Sequence, residues 1–186
     1  MIVLLLTTLL FASSVVKWNL FRCATMLTVS ILTISDKGAR GQRYDESGQV
    51  IRGIFAELGS EMVNYEIVPD ERDIICQKLS QWADNGDTDV IVTTGGTGLG
   101  ERDVTPEATI SVVDRVVPGL AEAMRAGSLS KTPMAMLSRA TAGVRGRSLI
   151  INLPGSPKAV RECLEVVLPA IPHAIDIIKG VVTEHS

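Results

Sequence analysis

The residues best suited to chemistry form a glycine- and threonine-rich run, Thr93–Gly98, which Asp103 follows five positions later. An apolar stretch, Asp89–Val92, predicts a buried strand before the run, and Pro106 predicts the first turn of a helix after it. Between a strand and a helix, glycines let backbone N–H groups approach an anion closely, and the helix start adds unpaired donors. The pattern predicts a phosphate-binding loop, with Asp103 close enough to hold a metal ion.

The spacing of this run separates it from two common nucleotide-binding motifs. No Gly-Lys-Ser or Gly-Lys-Thr closes it, so it is not a P-loop, and its glycines do not fit the dinucleotide pattern G-x-G-x-x-G. The alternative interpretation is a tight turn that happens to use three glycines. The hydroxyls of Thr93, Thr94 and Thr97 favour a ligand over this alternative, because hydroxyl donors suit phosphate oxygens.

Strand-like and helix-like patterns alternate along the chain, which predicts a single three-layer α/β domain with a mostly parallel sheet and helices on both faces. Helical spacing of apolar residues predicts helices before and after the second strand, after Pro106 and after Ser156, and a mixed segment over Pro118–Ser130. The predicted strands are Val29–Ile34, Met62–Val68, Asp89–Val92, Met134–Arg139 and Ser148–Leu153.

A second strand-to-helix junction is predicted at Pro154–Pro157, where Ser156 suits a helix N-cap and Pro157 a first helical residue. In an open parallel sheet, such junctions gather at the carboxyl ends of the strands. We therefore expect the loops that end near Asp36, Asp70 and Asp103 to converge with this one, each bringing an acid to the same edge.

Composition limits the possible functions. The chain has 186 residues and a net charge of −3, which favours one domain and, without a basic stripe, argues against nucleic acid as a partner. Cys23, Cys76 and Cys163 are odd in number and widely spaced, so we expect buried free thiols in a reducing compartment. The two histidines, His173 and His185, lie beyond the candidate loops, which argues against histidine-based catalysis.

Residues 1–25 form an N-terminal extension to a domain that occupies 26–186. The apolar run Ile2–Ala12 is too short for a membrane span of about 20 residues, so no stable membrane span is expected. We favour an upstream or processed extension, because the domain begins naturally at Met26. Organellar targeting ranks second and a stable anchor third. The expected location of the domain is the cytoplasm.

Several ordered motifs resemble the molybdopterin adenylyltransferase family, which includes MogA-type bacterial enzymes and the G domains of proteins such as gephyrin. The resemblance runs from about Met26 to Gly180. The matching stretches are Ile34–Asp36, Val68–Glu71, Thr94–Gly98, Arg102–Ala108, Pro118–Leu120, Met136–Arg139 and Leu153–Ala159.

The resemblance implies adenylyl transfer from ATP to the terminal phosphate of molybdopterin, with Mg²⁺, by a compact domain that forms a homotrimer. It maps the catalytic, metal-binding pair of aspartates onto Asp70 and Asp103. Because no molybdenum-insertion domain follows in this sequence, hand-over to a separate insertion protein is expected. The residues expected to bind the nucleotide are Ser35, Asp36, Thr94, Gly95, Gly96, Thr97, Gly98, Pro154, Gly155 and Ser156.

This chemistry does not require a catalytic base from the protein, because a phosphate with a second pKa of about 6 is largely a dianion at neutral pH. Some candidates also have structural alternatives. Asp103 fits a helix N-terminal charge and Asp70 a turn, and Arg102 and Arg139 fit either contacts to an anionic phosphate or surface charges. A non-catalytic molybdopterin carrier and a hydrolase of nucleotide-containing molecules are the competing functions.

Overall fold

The computed structural model describes residues 26–181. The predicted extension 1–25, together with Cys23 and His185, lies outside the described residues. Six strands are present in this range: β1 (Thr28–Ile34), β2 (Glu61–Val68), β3 (Val90–Thr94), β4 (Arg115–Val116), β5 (Ala142–Arg145) and β6 (Ser148–Leu153). The α-helices are α1 (Asp36–Ala39), α2 (Glu46–Glu57), α3 (Arg72–Asn85), α4 (Thr105–Val112), α5 (Pro118–Leu129), α6 (Pro157–Val167) and α7 (Ile171–Lys179).

The strands form one sheet in the order β2-β1-β3-β6-β5-β4. The first four are parallel to one another, whereas β5 and β4 add an antiparallel edge. Strands β1 and β3 are buried along nearly their whole length, because helices cover both faces of a parallel sheet. The predicted mostly parallel sheet is confirmed.

Two separate apolar cores lie on opposite faces of the sheet. Ile31 of β1 packs in one core with α2, α5, α6 and α7, and its neighbour Leu32 packs in the other with α3 and α4. Successive side chains of a strand point to opposite faces, so one apolar strand serves both cores. Trp82 belongs to the second core. Cys163 is buried in the first core, as predicted, whereas Cys76 is only partly buried against the second, so that part of the prediction is wrong. The three-layer domain is therefore confirmed.

The prediction of a strand over Met134–Arg139 is wrong. The chain instead forms a 3-10 helix over Pro133–Leu137, with the Thr132 side chain accepting from the Met134 amide at its start. Met134 and Met136 are 62% and 66% exposed, so this run of apolar residues does not form part of the core. Proline removes one backbone donor and fixes its φ, which suits the first turn of a helix. The segment predicted as mixed, 118–130, is almost entirely helix α5.

The antiparallel edge formed by β4 and β5 was not predicted. Both strands are short, and β5 contains Gly143. A Cβ on Gly143 would lie 2.7 Å from Cγ1 of Val113 and 2.9 Å from the carbonyl oxygen of Arg115. The glycine therefore allows the chain before β4 to lie close against β5, a requirement that comes from a long-range contact. Across residues 26–181, no helix is long and apolar enough to cross a membrane.

Candidate active site

A polar cleft of about 210 Å³ lies where the carboxyl ends of β1 and β3 meet the loop after β6. It brings together five of the residues predicted to bind nucleotide and one of the two predicted catalytic acids. The lining residues are Thr33, Ile34, Ser35, Gly38, Arg43, Tyr44, Asp45, Glu46, Ser47, Asp70, Thr94, Gly95, Gly96, Gly155 and Pro157. The expected convergence of these loops is therefore present.

Glycine is required at the floor of this cleft. Gly95 and Gly96 have φ angles of +100° and +61°, in the region that L-residues with a side chain adopt at a cost. A Cβ on Gly95 would lie 2.3 Å from the Ile34 carbonyl oxygen, and one on Gly96 would lie 2.4 Å from Oγ1 of Thr105. The loop therefore passes closer to β1 and α4 than any residue with a side chain allows.

The backbone amides of the loop divide into two groups. The amide of Gly95 donates to the Leu153 carbonyl over 3.3 Å, so it continues the hydrogen bonding between β3 and β6. Within residues 26–181, no acceptor from the protein is found for the amides of Gly96, Thr97 and Gly98. Unpaired backbone donors close to the start of α4 are the groups that bind a phosphate oxygen. The unpaired amides thus cover a shorter stretch than the predicted Thr94–Gly98.

The threonine hydroxyls differ from the prediction that all three face a ligand. Thr93 is fully buried, and its hydroxyl accepts a hydrogen bond from the side-chain amide of Asn152 over 2.9 Å. The Thr94 hydroxyl donates to the Pro154 carbonyl over 2.7 Å. Both hydroxyls stabilise the protein itself. In the part of the chain that the structure describes, the Thr97 hydroxyl has no protein partner. Contact between this hydroxyl and a ligand therefore stays a prediction.

Asn152 is a buried polar residue that the sequence interpretation missed. Its side-chain amide donates to the hydroxyls of Thr93 over 2.9 Å and of Thr109 over 2.8 Å, so it joins β6, β3 and α4. A buried amide is stable only when it is hydrogen-bonded, and a satisfied network fixes the relative positions of its elements. The signal was present in the sequence, because Asn152 interrupts the apolar run Leu149–Leu153.

Asp36 and Asp70 lie side by side at the ends of β1 and β2. The amide of Asp36 donates to Oδ2 of Asp70 over 2.8 Å, and the amide of Asp70 donates to Oδ1 of Asp36 over 3.2 Å. Arg102 adds two contacts of 2.8 Å, one to Asp36 and one to Glu71. The prediction that these loops meet at one edge is confirmed, and Arg102 is paired with protein carboxylates.

The two carboxyl groups have opposite pKa shifts. The hydrogen bond from Arg102 is the main cause that lowers the pKa of Asp36. Burial is the main cause that raises the pKa of Asp70, opposed by the backbone hydrogen bond from Asp36. The charge of Asp36 and, as a smaller cause, that of Asp103 also raise the pKa of Asp70. A cation bound beside Asp70 would relieve this repulsion.

Asp103 lies beside the cleft, in a shallow depression that it shares with Gly100, Glu107 and Arg139. Its Oδ2 accepts the Gly100 amide over 2.7 Å and would lie 2.9 Å from a Cβ on Gly98. The carboxylate is therefore held against the second half of the glycine loop. Asp103 lies two residues before the start of α4, and the helix dipole favours a negative charge at that end of a helix.

The residues of the predicted Mg²⁺ site fit an ion that is completed by substrate oxygens. Within residues 26–181, no three His, Cys, Asp or Glu side chains form a metal-binding group. Magnesium keeps several waters and binds through one or two carboxylates plus substrate phosphates. Asp70 and Asp103 supply two carboxylates on either side of the unpaired amides, which is the donor set that such an ion uses.

The lining of the cleft also contains a hydrogen-bonded group centred on Asp45. Asp45 caps α2 by accepting the Gly48 amide over 2.9 Å, and it also accepts hydrogen bonds from the hydroxyls of Thr33 and Tyr65. The Tyr65 hydroxyl lies 2.6 Å from Asp45. Burial and this carboxylate raise the pKa of Tyr65 to about 12. Asp45 is thus fixed by three donors.

The loop after β6 closes the cleft. Its Gly155 carbonyl accepts the Ser47 hydroxyl over 2.8 Å, and a Cβ on Gly155 would lie 3.5 Å from Cα of Gly95. Ser156 caps α6, because its side chain accepts the Ala159 amide over 3.2 Å. Pro154 borders a separate apolar cavity between α5 and α6. Of these predicted binding residues, only Gly155 lines the polar cleft.

The fold and the site together define a three-layer α/β domain with a glycine loop and paired acids at one edge of its sheet. Residues 30–173 match the family model described as a probable molybdopterin binding domain. The chain therefore belongs to this family, as its motifs indicated.

Known relatives agree with this assignment. The molybdopterin adenylyltransferase of Helicobacter pylori strain J99 is 49% identical over 154 residues, which cover 82% of this chain and 88% of the relative. Gephyrin from Dictyostelium discoideum is 46% identical over 82% of this chain and 22% of its own length. The crystal structure of the molybdopterin biosynthesis enzyme MoaB from Thermus thermophilus is 57% identical and has a TM-score of 0.79, covering 83% of this chain and 98% of that chain.

Proposed function

We propose that this protein is a molybdopterin adenylyltransferase of molybdenum cofactor biosynthesis. It transfers the adenylyl group of ATP to the terminal phosphate of molybdopterin and releases pyrophosphate. The observation that carries the proposal is the set of unpaired amides at Gly96, Thr97 and Gly98, flanked by Asp70 and Asp103. The name and the extensive coverage of the Helicobacter relative support the same reaction.

In the proposed reaction, an oxygen of the molybdopterin phosphate attacks the α-phosphorus of ATP. The new P–O bond forms as the bond between the α-phosphorus and the bridging oxygen to the β-phosphate breaks, and pyrophosphate takes the electron pair. The acceptor is already a dianion at neutral pH, so the protein need not remove a proton. The contribution of the chain is to orient two anions and to stabilise the charge that develops between them.

Different residues have separate roles in the proposed reaction. The amides of Gly96, Thr97 and Gly98 donate to phosphate oxygens, and the start of α4 adds its dipole. Asp70 and Asp103 would hold Mg²⁺, which supplies neutralisation of the phosphate charge when bound. Arg102 keeps Asp36 paired, so Asp70 is the member of this aspartate pair that lines the cleft. We assign Ser35 and Gly155 to the cleft walls that contact the nucleotide.

The decisive experiment measures pyrophosphate release by the purified protein with ATP and Mg²⁺, with and without molybdopterin. Release that depends on molybdopterin supports the proposal. Binding of molybdopterin without release would indicate a carrier, and cleavage of ATP without molybdopterin would indicate a hydrolase. Asp103→Asn is the matched variant, because it keeps the size of the side chain and removes its charge.

The proposal also includes assembly and location. We place the protein in the cytoplasm as a homotrimer that passes adenylylated molybdopterin to a separate molybdenum-insertion protein. The free thiols of Cys76 and Cys163 support a reducing compartment. The exposed side chains of Met134, Met136 and Leu137 offer an apolar surface of the kind that subunit contacts cover. Light scattering coupled to size-exclusion chromatography measures the number of subunits directly.

A further inference from the structure

Arg139 makes an unusual set of contacts with the loop that carries Asp103. Its Nε donates to the Gly98 carbonyl over 2.6 Å, its Nη2 donates to the Asp103 carbonyl, and its Nη1 pairs with Glu107. Its own backbone amide donates to the Thr97 carbonyl over 3.0 Å. One side chain therefore contacts both ends of the segment 98–103, and we propose that Arg139 is the positioning residue that fixes the Asp103 carboxylate for catalysis.

Two arginines attach the segment 98–103 to the rest of the domain: Arg102 within it pairs with Asp36 and Glu71, and Arg139 holds its two ends. The other hydrogen bonds of the segment are local. The Asp103 amide donates to the Gly100 carbonyl over 2.9 Å, and the Gly100 amide donates to Oδ2 of Asp103 over 2.7 Å. These two bonds close a small turn, but they do not connect the turn to the sheet. Leu99 in this turn is 66% exposed, so apolar packing does not hold it either.

Arg139 connects that turn to the core of the domain. It precedes Ala140, which is only 5% exposed, and strand β5 begins two residues further on. A planar guanidinium presents several donors in a fixed geometry, which lets one side chain hold two carbonyl oxygens at once. Lysine has a single charged nitrogen and cannot reproduce that geometry. The shape of the Arg139 head group therefore helps to fix the position of Asp103, beside the ion pairs of Arg102.

The contact with Glu107 argues against a direct contact between Arg139 and an anionic substrate. Glu107 lies in the first turn of α4, and its carboxylate pairs with Nη1 of the guanidinium. The other two nitrogens, Nε and Nη2, donate to the carbonyl groups of Gly98 and Asp103. Arg139 therefore acts through the loop. This inference rests on the proposed adenylyltransferase function for its catalytic consequence, whereas the attachment of the loop is independent of it.

The matched test compares Arg139→Lys with Arg145→Lys. Arg145 also pairs with a carboxylate, that of Asp84, and donates to a carbonyl of α4, that of Val112 over 2.7 Å, but at the other end of that helix. We expect Arg139→Lys to lower kcat about 10- to 100-fold, because displacement of a catalytic group by about 1 Å costs on that order. Arg145→Lys should keep kcat within about threefold.

Nucleotide binding should change little in Arg139→Lys. The variant keeps the backbone bond to Thr97, and the Thr105 amide still donates to the Gly96 carbonyl over 3.1 Å. The amides that bind phosphate are therefore held in place, and the KM for ATP should stay within about threefold. A large rise in the KM for molybdopterin at unchanged kcat would overturn the proposal in favour of a direct contact with the substrate.

Hydrogen exchange measured by mass spectrometry tests the attachment without any activity assay. Arg139→Lys should accelerate exchange in peptides covering 98–105, and Arg145→Lys should not. Unchanged exchange, or faster exchange with unchanged kcat, would overturn the proposal. If the wild-type protein released no pyrophosphate, the proposed function would fail while exchange would still report on the loop. Should Arg139→Lys prove unstable, Arg139→Gln provides the same comparison.

Discussion

Replacing Gly96 with alanine tests whether the glycine loop is shaped for an anion. Gly96 has a φ of +61°, and an added Cβ would lie 2.4 Å from Oγ1 of Thr105 and 3.4 Å from Oδ1 of Asp70. Thr105 is fully buried, and its hydroxyl donates to the Gly95 carbonyl over 2.9 Å. The side chain in the way therefore cannot rotate aside without losing a buried hydrogen bond.

Two costs add in this variant. The left-handed backbone conformation costs about 1–2 kcal/mol for a residue with a Cβ, and forcing a methyl group into a packed site costs about 1–3 kcal/mol. We expect the free energy of unfolding of Gly96→Ala to fall by roughly 2–5 kcal/mol, the sum of these terms. Urea denaturation followed by circular dichroism measures this change.

The same substitution should weaken ATP binding. Relief of the clash moves the backbone at 96, and with it the unpaired amides of Gly96 and Thr97. A hydrogen bond to a charged group contributes about 1.5–3 kcal/mol, so the loss of one predicts a dissociation constant for ATP about 10- to 100-fold higher. Isothermal titration calorimetry with Mg²⁺ and ATP measures the constant directly.

Gly59→Ala is the control for the backbone term. Gly59 has a φ of +73°, and a Cβ there would meet nothing within 4 Å. It follows α2, before β2 begins, so it lies far along the chain from the glycine loop. We expect a loss of about 1–2 kcal/mol of stability, the backbone term alone, and normal ATP affinity. If Gly96→Ala also bound ATP normally, the loop would be only a turn and the argument for an anion site would be refuted.

Three further predictions concern other groups. Asp103→Asn should lower kcat at least about 100-fold while changing the dissociation constant for ATP only a few-fold, because the charge matters most in the transition state; equal losses in both would contradict this role. Tyr65 should ionise near pH 12, against an ordinary pKa of 10. The folded state thus holds its proton more tightly, so the stabilisation is complete below pH 10 and is lost as the pH rises from 10 through 12. Absorbance titration of wild type against Tyr65→Phe measures this, and a pKa near 10 would contradict both the burial of Tyr65 and its hydrogen bond to Asp45. Because burial raises the pKa of Cys163, its thiol should react with a disulfide reagent only after unfolding, and rapid labelling of Cys163 in the native protein, identified by peptide mapping, would contradict its burial.

The layered architecture was predictable because its causes are local in sequence. Buried parallel strands produce continuous apolar runs, helices repeat apolar residues at helical spacing, and proline and N-cap residues mark helix starts. The glycine loop could also be predicted from the sequence, since glycine is the residue that most readily adopts the positive φ angles found at Gly95 and Gly96. Short elements were missed, as at β4 and β5, because two to four residues carry too little periodicity to distinguish a strand.

The amino-acid sequence by itself therefore determined the fold class, the family and the edge of the sheet at which the acids and glycines meet. Only the tertiary structure decided which polar groups remain available for a ligand. The hydroxyls of Thr93 and Thr94 are engaged by Asn152 and Pro154, and the charges of Arg102 and Arg139 by carboxylates and carbonyls. These partners lie tens of residues away in the chain, so the local spacing of residues cannot predict them. Packing brings them together and, within residues 26–181, leaves the amides of Gly96, Thr97 and Gly98 without a protein acceptor.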